Sequence, residues 1–136
     1  AKPFYSLSLS LSRDNASILQ RIKEGYLMWI NIARHIPRSS RYTIGARLEN
    51  KFLDLLEFSY IAYFTEKEKK IEKITRCILC SDTLKFLLYT IWEAKLISHK
   101  HYTEISEKTD EIGKMLGGWR NGLQKKTLAS YSERNT

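Results

Sequence analysis

Arg34, Arg38 and Arg41 cluster around Pro37, and Arg47 and Lys51 come next, four residues apart. Cations in this pattern suit phosphate binding. Guanidinium groups stay charged and fork onto phosphate oxygens, and a helix beginning near Ser40 adds backbone N–H groups and the positive end of its dipole. Between Arg34 and Lys51 the only opposing charge is Glu49, and Tyr42 beside them can stack on an unpaired base. The plain alternative is a solvated basic face that serves solubility. A second basic line, Lys69, Lys73 and Arg76, is interleaved with Glu66, Glu68 and Glu72 and reads as a salt-bridged surface.

Catalytic patterns are missing. Cys77 and Cys80 form a Cys-x-x-Cys pair, but zinc needs two more ligands, and His99 and His101 are two apart, on different sides of a helix. A thioredoxin-type role needs the pair at a helix start, whereas these cysteines fall inside a predicted helix and are expected reduced and partly buried. The Glu-x-x-His pairs of di-iron bundles, the Gly-Lys-Ser/Thr phosphate loop, His-Glu-x-x-His and the nucleophile elbow do not occur. His35 could act as a general base, but a polar residue at a helix end is the simpler reading. The expectation is a chain with no catalytic residues, no metal and no cofactor.

The elements that must position the arginines can be read from apolar spacing. Ile18, Ile22, Tyr26, Trp29, Ala33 and Ile36 recur at three and four residues and predict a helix over 17–36, opened by a Ser17/Gln20 capping box. Pro37 must stop it, and Ser39 or Ser40 can cap the next helix. Ile44, Leu48, Phe52, Leu55, Ser59 and Ala62 or Tyr63 predict that second helix to about Phe64. Thr65 with Glu68 fits a capping box, placing a tight turn at 63–66; one continuous helix is the alternative.

The third helix carries Ile71, Ile74, Ile78, Ser81, Lys85, Leu88 and Trp92 on one line, with Leu84, Leu87 and Ile91 beside it. So wide an apolar face exceeds one core, which makes Leu84, Leu87 and Ile91 candidates for an oligomer interface; a thick monomer core is the alternative. Ser98 can cap a fourth helix through Tyr102, Ile105, Thr109, Ile112, Leu116 and Trp119, ending at Gly117-Gly118 or shortly after. Gly45 and Gly113, costly inside helices, suggest close approach by a neighbour. Short connections between four helices predict an all-α, antiparallel up-down-up-down bundle over 15–120, between a mobile N-terminal segment, 1–14, and a basic mobile tail, 121–136. The alternating Ser-Leu run at 6–12 could instead pair as a strand.

Composition agrees. A chain of 136 residues that is 43% hydrophobic makes one domain. No run reaches the roughly 20 apolar residues of a membrane span, and the Ser-Leu segment lacks a signal peptide's continuous apolar region. Two cysteines are too few for a disulfide scaffold, so a reducing cytoplasm is the default. Lys and Arg number 23 against 15 Asp and Glu, a formal charge of +8. Such an excess favours polyanionic partners, and Lys114, Arg120, Lys125, Lys126 and Arg134 concentrate part of it near the C-terminus.

Two stretches, Arg41-Tyr42-Thr43-Ile44-Gly45-Ala46-Arg47-Leu48 and Asp110-Glu111-Ile112-Gly113-Lys114-Met115-Leu116-Gly117-Gly118-Trp119, resemble the signatures of the Avd family. These are the accessory variability determinants of diversity-generating retroelements, related to the four-helix-bundle proteins of ribosomal RNA intervening sequences. The resemblance covers roughly Ser17 to Trp119. It implies a barrel-shaped homopentamer, bacterial or phage-encoded, that binds a reverse transcriptase and nucleic acid, as template RNA or cDNA hybrid, during mutagenic reverse transcription. The family often carries Leu-Arg-x-x-x-Arg on the third helix. Leu84-Lys85 matches its start, making Lys85 a candidate nucleic-acid ligand, but Tyr89 replaces the second base. The ribosomal-intervening branch is similar too, and implies a structural oligomer or RNA-associated scaffold.

Overall fold

The computed structural model describes residues 17–134, among which there are four long helices and no strand. They are α1 (Ser17–Ala33), α2 (Ala46–Phe64), α3 (Lys67–Glu93) and α4 (His99–Arg134). A helical turn, Arg38–Ser40, and a π-helical segment, Arg41–Gly45, lead into α2. The expected mobile segment 1–14 and the Ser-Leu run lie outside the described residues.

Each long helix packs on two others: α1 on α2 and α4, α3 on α2 and α4. Trp29, Phe52, Leu84 and Ile112, one from each helix, are fully buried in the single core they enclose. Cross-helix partners run in opposite numerical order. Arg21 meets Glu111 while His35 meets His101, and Lys85 meets Asp110 while Thr75 meets Arg120. None of the described helices is long and apolar enough to cross a membrane.

Helical spacing located most of the core. On α2 the buried line Leu48, Phe52, Leu55, Ser59, Ala62 is the expected one, except that Ile44 is only half-buried. The π-helical turn is wider than an α-turn, which changes the phase of the stripe and puts Gly45 inward. On α1 the inner line is Ile18, Leu19, Ile22, Gly25, Trp29 and Ile32, with Tyr26 and Ala33 at its edges. Ile36 is buried although the helix has ended.

The caps divide the expectations. Ser98 Oγ accepts from the His101 N–H at 3.1 Å, as its position suggested. The tight turn at 63–66 is present, but its capping box is not. Glu66 precedes α3 without a side-chain cap, and Thr65 Oγ1 donates backwards to the Ile61 carbonyl at 2.6 Å. Neither Ser39 nor Ser40 caps α2, because Pro37 takes that place and its carbonyl accepts from the Ser40 and Arg41 N–H groups at 2.9 and 3.1 Å. After α3, Lys95 adopts φ 62°, while Lys95 N–H donates to Trp92 and Leu96 N–H to Ile91. This is a Schellman turn with lysine where glycine is usual.

The fourth helix corrects two expectations. It passes through Gly117, Gly118 and Gly122 without any positive φ and continues to Arg134, so the segment expected as a mobile tail from residue 121 is helical as far as described. Each helical glycine costs about 1 kcal/mol, but Leu116, Trp119 and Leu123 still pack on the core on either side of them. The assignment of Leu84 and Ile91 to an oligomer interface also changes: they are 0% and 1% exposed within the chain's own core. The breadth of α3 reflects its packing on both α2 and α4. Leu87 is half-buried, and the exposed apolar line on α3 is Leu79 and Phe86, at 64% and 68%.

The helical glycine pressed by core carbon atoms is Gly25, a position that spacing did not single out. A Cβ there would sit 3.0 Å from Phe52 Cε1 and 3.4 Å from Ile112 Cδ1. At Gly113 the close neighbour is a side chain rather than a helix backbone, Lys85 Nζ at 2.6 Å, while a Cβ at Gly45 would meet its neighbours only at ordinary van der Waals distances. Overpacking of core atoms costs about 1–3 kcal/mol, whereas a flexible ammonium can move aside and alanine adds about 1 kcal/mol of helix propensity. Thermal denaturation is therefore expected to show Gly25→Ala destabilised and Gly113→Ala unchanged or more stable; the reverse order would contradict this packing.

Arg21 and Glu24 of α1 interlock with Lys108 and Glu111 of α4. Lys108 Nζ lies 3.0 Å from Glu24 and 3.8 Å from Glu111, and Arg21 lies 3.2 Å and 2.6 Å from the same two carboxylates. Lys108, through its hydrogen bond, and then Arg21 hold the Glu24 carboxyl below its ordinary range against the opposing effect of desolvation. A lowered folded pKa stabilises above the carboxylate range and is lost as pH falls through it. Solvent screening keeps the contribution small.

Candidate nucleic-acid interface

Before Pro37 the last carbonyls of α1, Ile32 and Ala33, accept from the His35 and Ile36 N–H groups at 2.9 and 3.1 Å, and the carbonyls of the turn beyond them need other partners. Arg41 fills that need: its Nη2 donates to the Arg34 carbonyl at 2.9 Å and to the Ile36 carbonyl at 3.2 Å. Arg41 is therefore first a positioning residue that closes the turn. Thr43 Oγ1 donates to the Ser40 carbonyl at 3.1 Å, and buried Trp29 donates its indole N–H to the Gly45 carbonyl at 3.1 Å. With Ile36 sunk in the core, the turn is fastened at several points.

On this frame Arg34 and Arg38 stand exposed, as does Arg47 in the first turn of α2. Among the described residues none of the three forms an ion pair. The one nearby carboxylate, Glu49, accepts from the Tyr26 hydroxyl at 3.2 Å instead. Burial, and then Glu49, raise the Tyr26 hydroxyl pKa, which keeps it a neutral donor. Tyr42 is 73% exposed beside the arginines, a ring face open to a base.

Sequence reading missed the contribution of α4. His35 and His101 lie with ring centroids 5.1 Å apart, which brings the first turn of α4 to the arginine turn. No local pattern links positions so far apart in the chain. The other candidates stand elsewhere. Lys51 is half-buried at the seam of α2 and α3, where its carbonyl accepts from the Cys80 thiol at 3.8 Å. Lys85 belongs to the seam of α3 and α4, pairs with Asp110 at 3.6 Å and covers Gly113.

Cys77 and Cys80 are free, buried and inside α3. Burial raises both thiols, Cys80 to about 11. A raised folded pKa keeps the thiol protonated through neutral pH, and the stabilisation it reflects is lost only as pH climbs towards that value. Alkylation of the native protein at pH 8 is expected to be at least tenfold slower than in denaturant; equal rates would restore a reactive-cysteine role. Among the described residues no three His, Cys, Asp or Glu side chains converge as a metal site.

A family model described as bAvd-like matches residues 17–123. The chain belongs to the bAvd-like family. No curated protein and no solved structure matches it. In this bAvd-like chain the stretch from Arg41 to Leu48 is the π-helical entry to α2, and the stretch from Asp110 to Trp119 is the part of α4 that supplies Ile112 and Leu116 to the core and Asp110 to Lys85. Tyr89, where a second base was expected, packs near Trp92 and Tyr102 with ring centroids at 5.9 and 6.5 Å.

Proposed function

We propose that this bAvd-like chain is a non-catalytic accessory protein that holds nucleic acid for the reverse transcriptase of a diversity-generating retroelement. The observation that carries this reading is the set of Arg34, Arg38 and Arg47, exposed and without acidic partners among the described residues, at a turn fastened by Arg41 and Trp29. Cations that no carboxylate neutralises can release counterions from a phosphate backbone, which is the main sequence-independent source of affinity. The retroelement context is what the resemblance to the Avd family implies, and the bAvd-like match supports it. Retention of both the neighbouring reverse transcriptase and its template RNA on the immobilised protein at moderate salt is the test. If neither is retained, the proposal fails.

The same reading has the helices antiparallel and the bundles assembled as a homopentamer in the cytoplasm. Its physical support is the apolar surface left outside: Leu79 and Phe86 lie on one line of α3, and Leu53, Tyr60 and Ile61 are exposed on α2. Second copies of the chain would cover these lines. Phe86→Glu, a change outside the core, is expected to yield a folded monomer in light scattering; an intact oligomer would put the interface elsewhere.

A further inference from the structure

The arginine turn and the start of α3 lie at opposite ends of the bundle, since α2, 19 residues long, separates them by about 28 Å. At the far end the first turns of α3 and the last turns of α4 enclose a groove of about 370 Å³ lined by Lys67, Glu68, Ile71, Thr127, Ser130 and Arg134. We propose that this groove and the helix beyond it form a second site, for single-stranded nucleic acid. The inference rests on the reading of the chain as a nucleic-acid binder and adds where and in what form a second strand is held.

Charge is the first argument. Lys67, Lys125 and Lys126 are exposed and make no ion pair among the described residues, and Arg134 only donates to the Ser130 carbonyl at 3.5 Å. The alternation of Lys69 and Lys73 with Glu66, Glu68 and Glu72 suggested a salt-bridged face, yet none of these carboxylates forms an ion pair with a described residue. Lys67, Lys69 and Lys70 also crowd the first turn of α3, where the helix dipole disfavours cations. Lys70 commits its ammonium to the Tyr63 carbonyl at 2.8 Å, and Glu68, in the same turn and on the groove wall, offsets one of the two cations that remain.

Shape and chemistry then select the strand. A duplex hides its bases and presents phosphates, whereas an unpaired strand presents both. The groove has an apolar wall at Ile71, and exposed Leu128 and Tyr131 come after Thr127 by one residue and by one turn on α4. Cations interleaved with an exposed ring and an apolar wall are how single strands are gripped without sequence preference. The α4 side of the groove lies wholly beyond residue 123, where the family match ends, so the site belongs to this chain's extension of the helix.

The test is fluorescence anisotropy on the full chain with labelled oligouridylate of about a dozen nucleotides and a hairpin duplex of equal phosphate number, titrated with KCl. The variant K125Q/K126Q/R134Q is expected to bind oligouridylate about tenfold more weakly, with a salt slope lower by about 2, at roughly 0.7 per phosphate no longer neutralised. Duplex binding should change much less. Tyr131→Ala should weaken oligouridylate at least fivefold with the slope unchanged, as for removal of a stacking ring. Wild-type affinity in both variants, an equal loss on both probes, or polyglutamate competing as well as oligouridylate would each overturn the site. If the unaltered chain binds neither probe, the nucleic-acid reading itself fails. If only R34Q/R38Q/R47Q loses affinity, that reading stands and the second site falls.

Discussion

Trp29→Ala should lower the thermal midpoint by about 10–20 °C, the largest effect expected of any single change. The ring is completely buried, and its N–H is the donor for the Gly45 carbonyl. Removing a buried Trp costs about 3–5 kcal/mol, and the lost indole hydrogen bond adds about 1 kcal/mol, against a total stability of about 5–15 kcal/mol for a domain. Trp29→Phe keeps most of the volume and loses the donor, so it should cost only about 1–2 kcal/mol. Circular dichroism melts of the two variants separate packing from hydrogen bonding. A fall of only a few degrees for Trp29→Ala would mean that the turn into α2 is not fastened from the core.

Changing Arg34, Arg38 and Arg47 together to Gln should reduce nucleic-acid affinity steeply while leaving helicity and melting as they are. Each duplex phosphate that the protein no longer neutralises lowers the slope of log affinity against log salt by about 0.9, so the triple variant's slope should fall by between about 2 and 3. Arg41→Gln should behave differently. Its guanidinium closes the turn after α1 by donating to two carbonyls, so the expected result is a loss of about 1 kcal/mol in stability together with a modest loss of binding. Filter binding across a salt series, with melts of the same preparations, tests both. Unchanged affinity in the triple variant would move the site away from the turn.

These variants divide residues that looked alike in the sequence. Arg34, Arg38 and Arg41 share a residue type and a neighbourhood, and spacing marks all three as phosphate ligands; which of them is committed to backbone carbonyls depends on where Pro37 sends the chain. The same holds for the glycines. Gly113 and Gly45 drew notice because they interrupt helices, while the one under pressure from aromatic and aliphatic carbons is Gly25, whose neighbours Phe52 and Ile112 come from two other helices. Lysine occupies the αL position after α3 where glycine is the usual residue, so that boundary had no local signal.

The local sequence, through periodicity and residue type, determined the helical segments, their inward lines on α2 and α4, the stop at Pro37 and the cap at Ser98, and favoured a turn near Thr65 over one continuous helix. It also located the arginine turn and made catalysis by cysteine or metal unattractive. Tertiary structure decided what two or more helices must specify together: that Leu84 and Ile91 serve this chain's own core, that His101 stands beside His35, that Lys85 lies over Gly113, and that α4 runs on to border a groove with α3. A side chain's period states which face it occupies. Only the packing of neighbours decides whether that face meets the core, a seam or solvent.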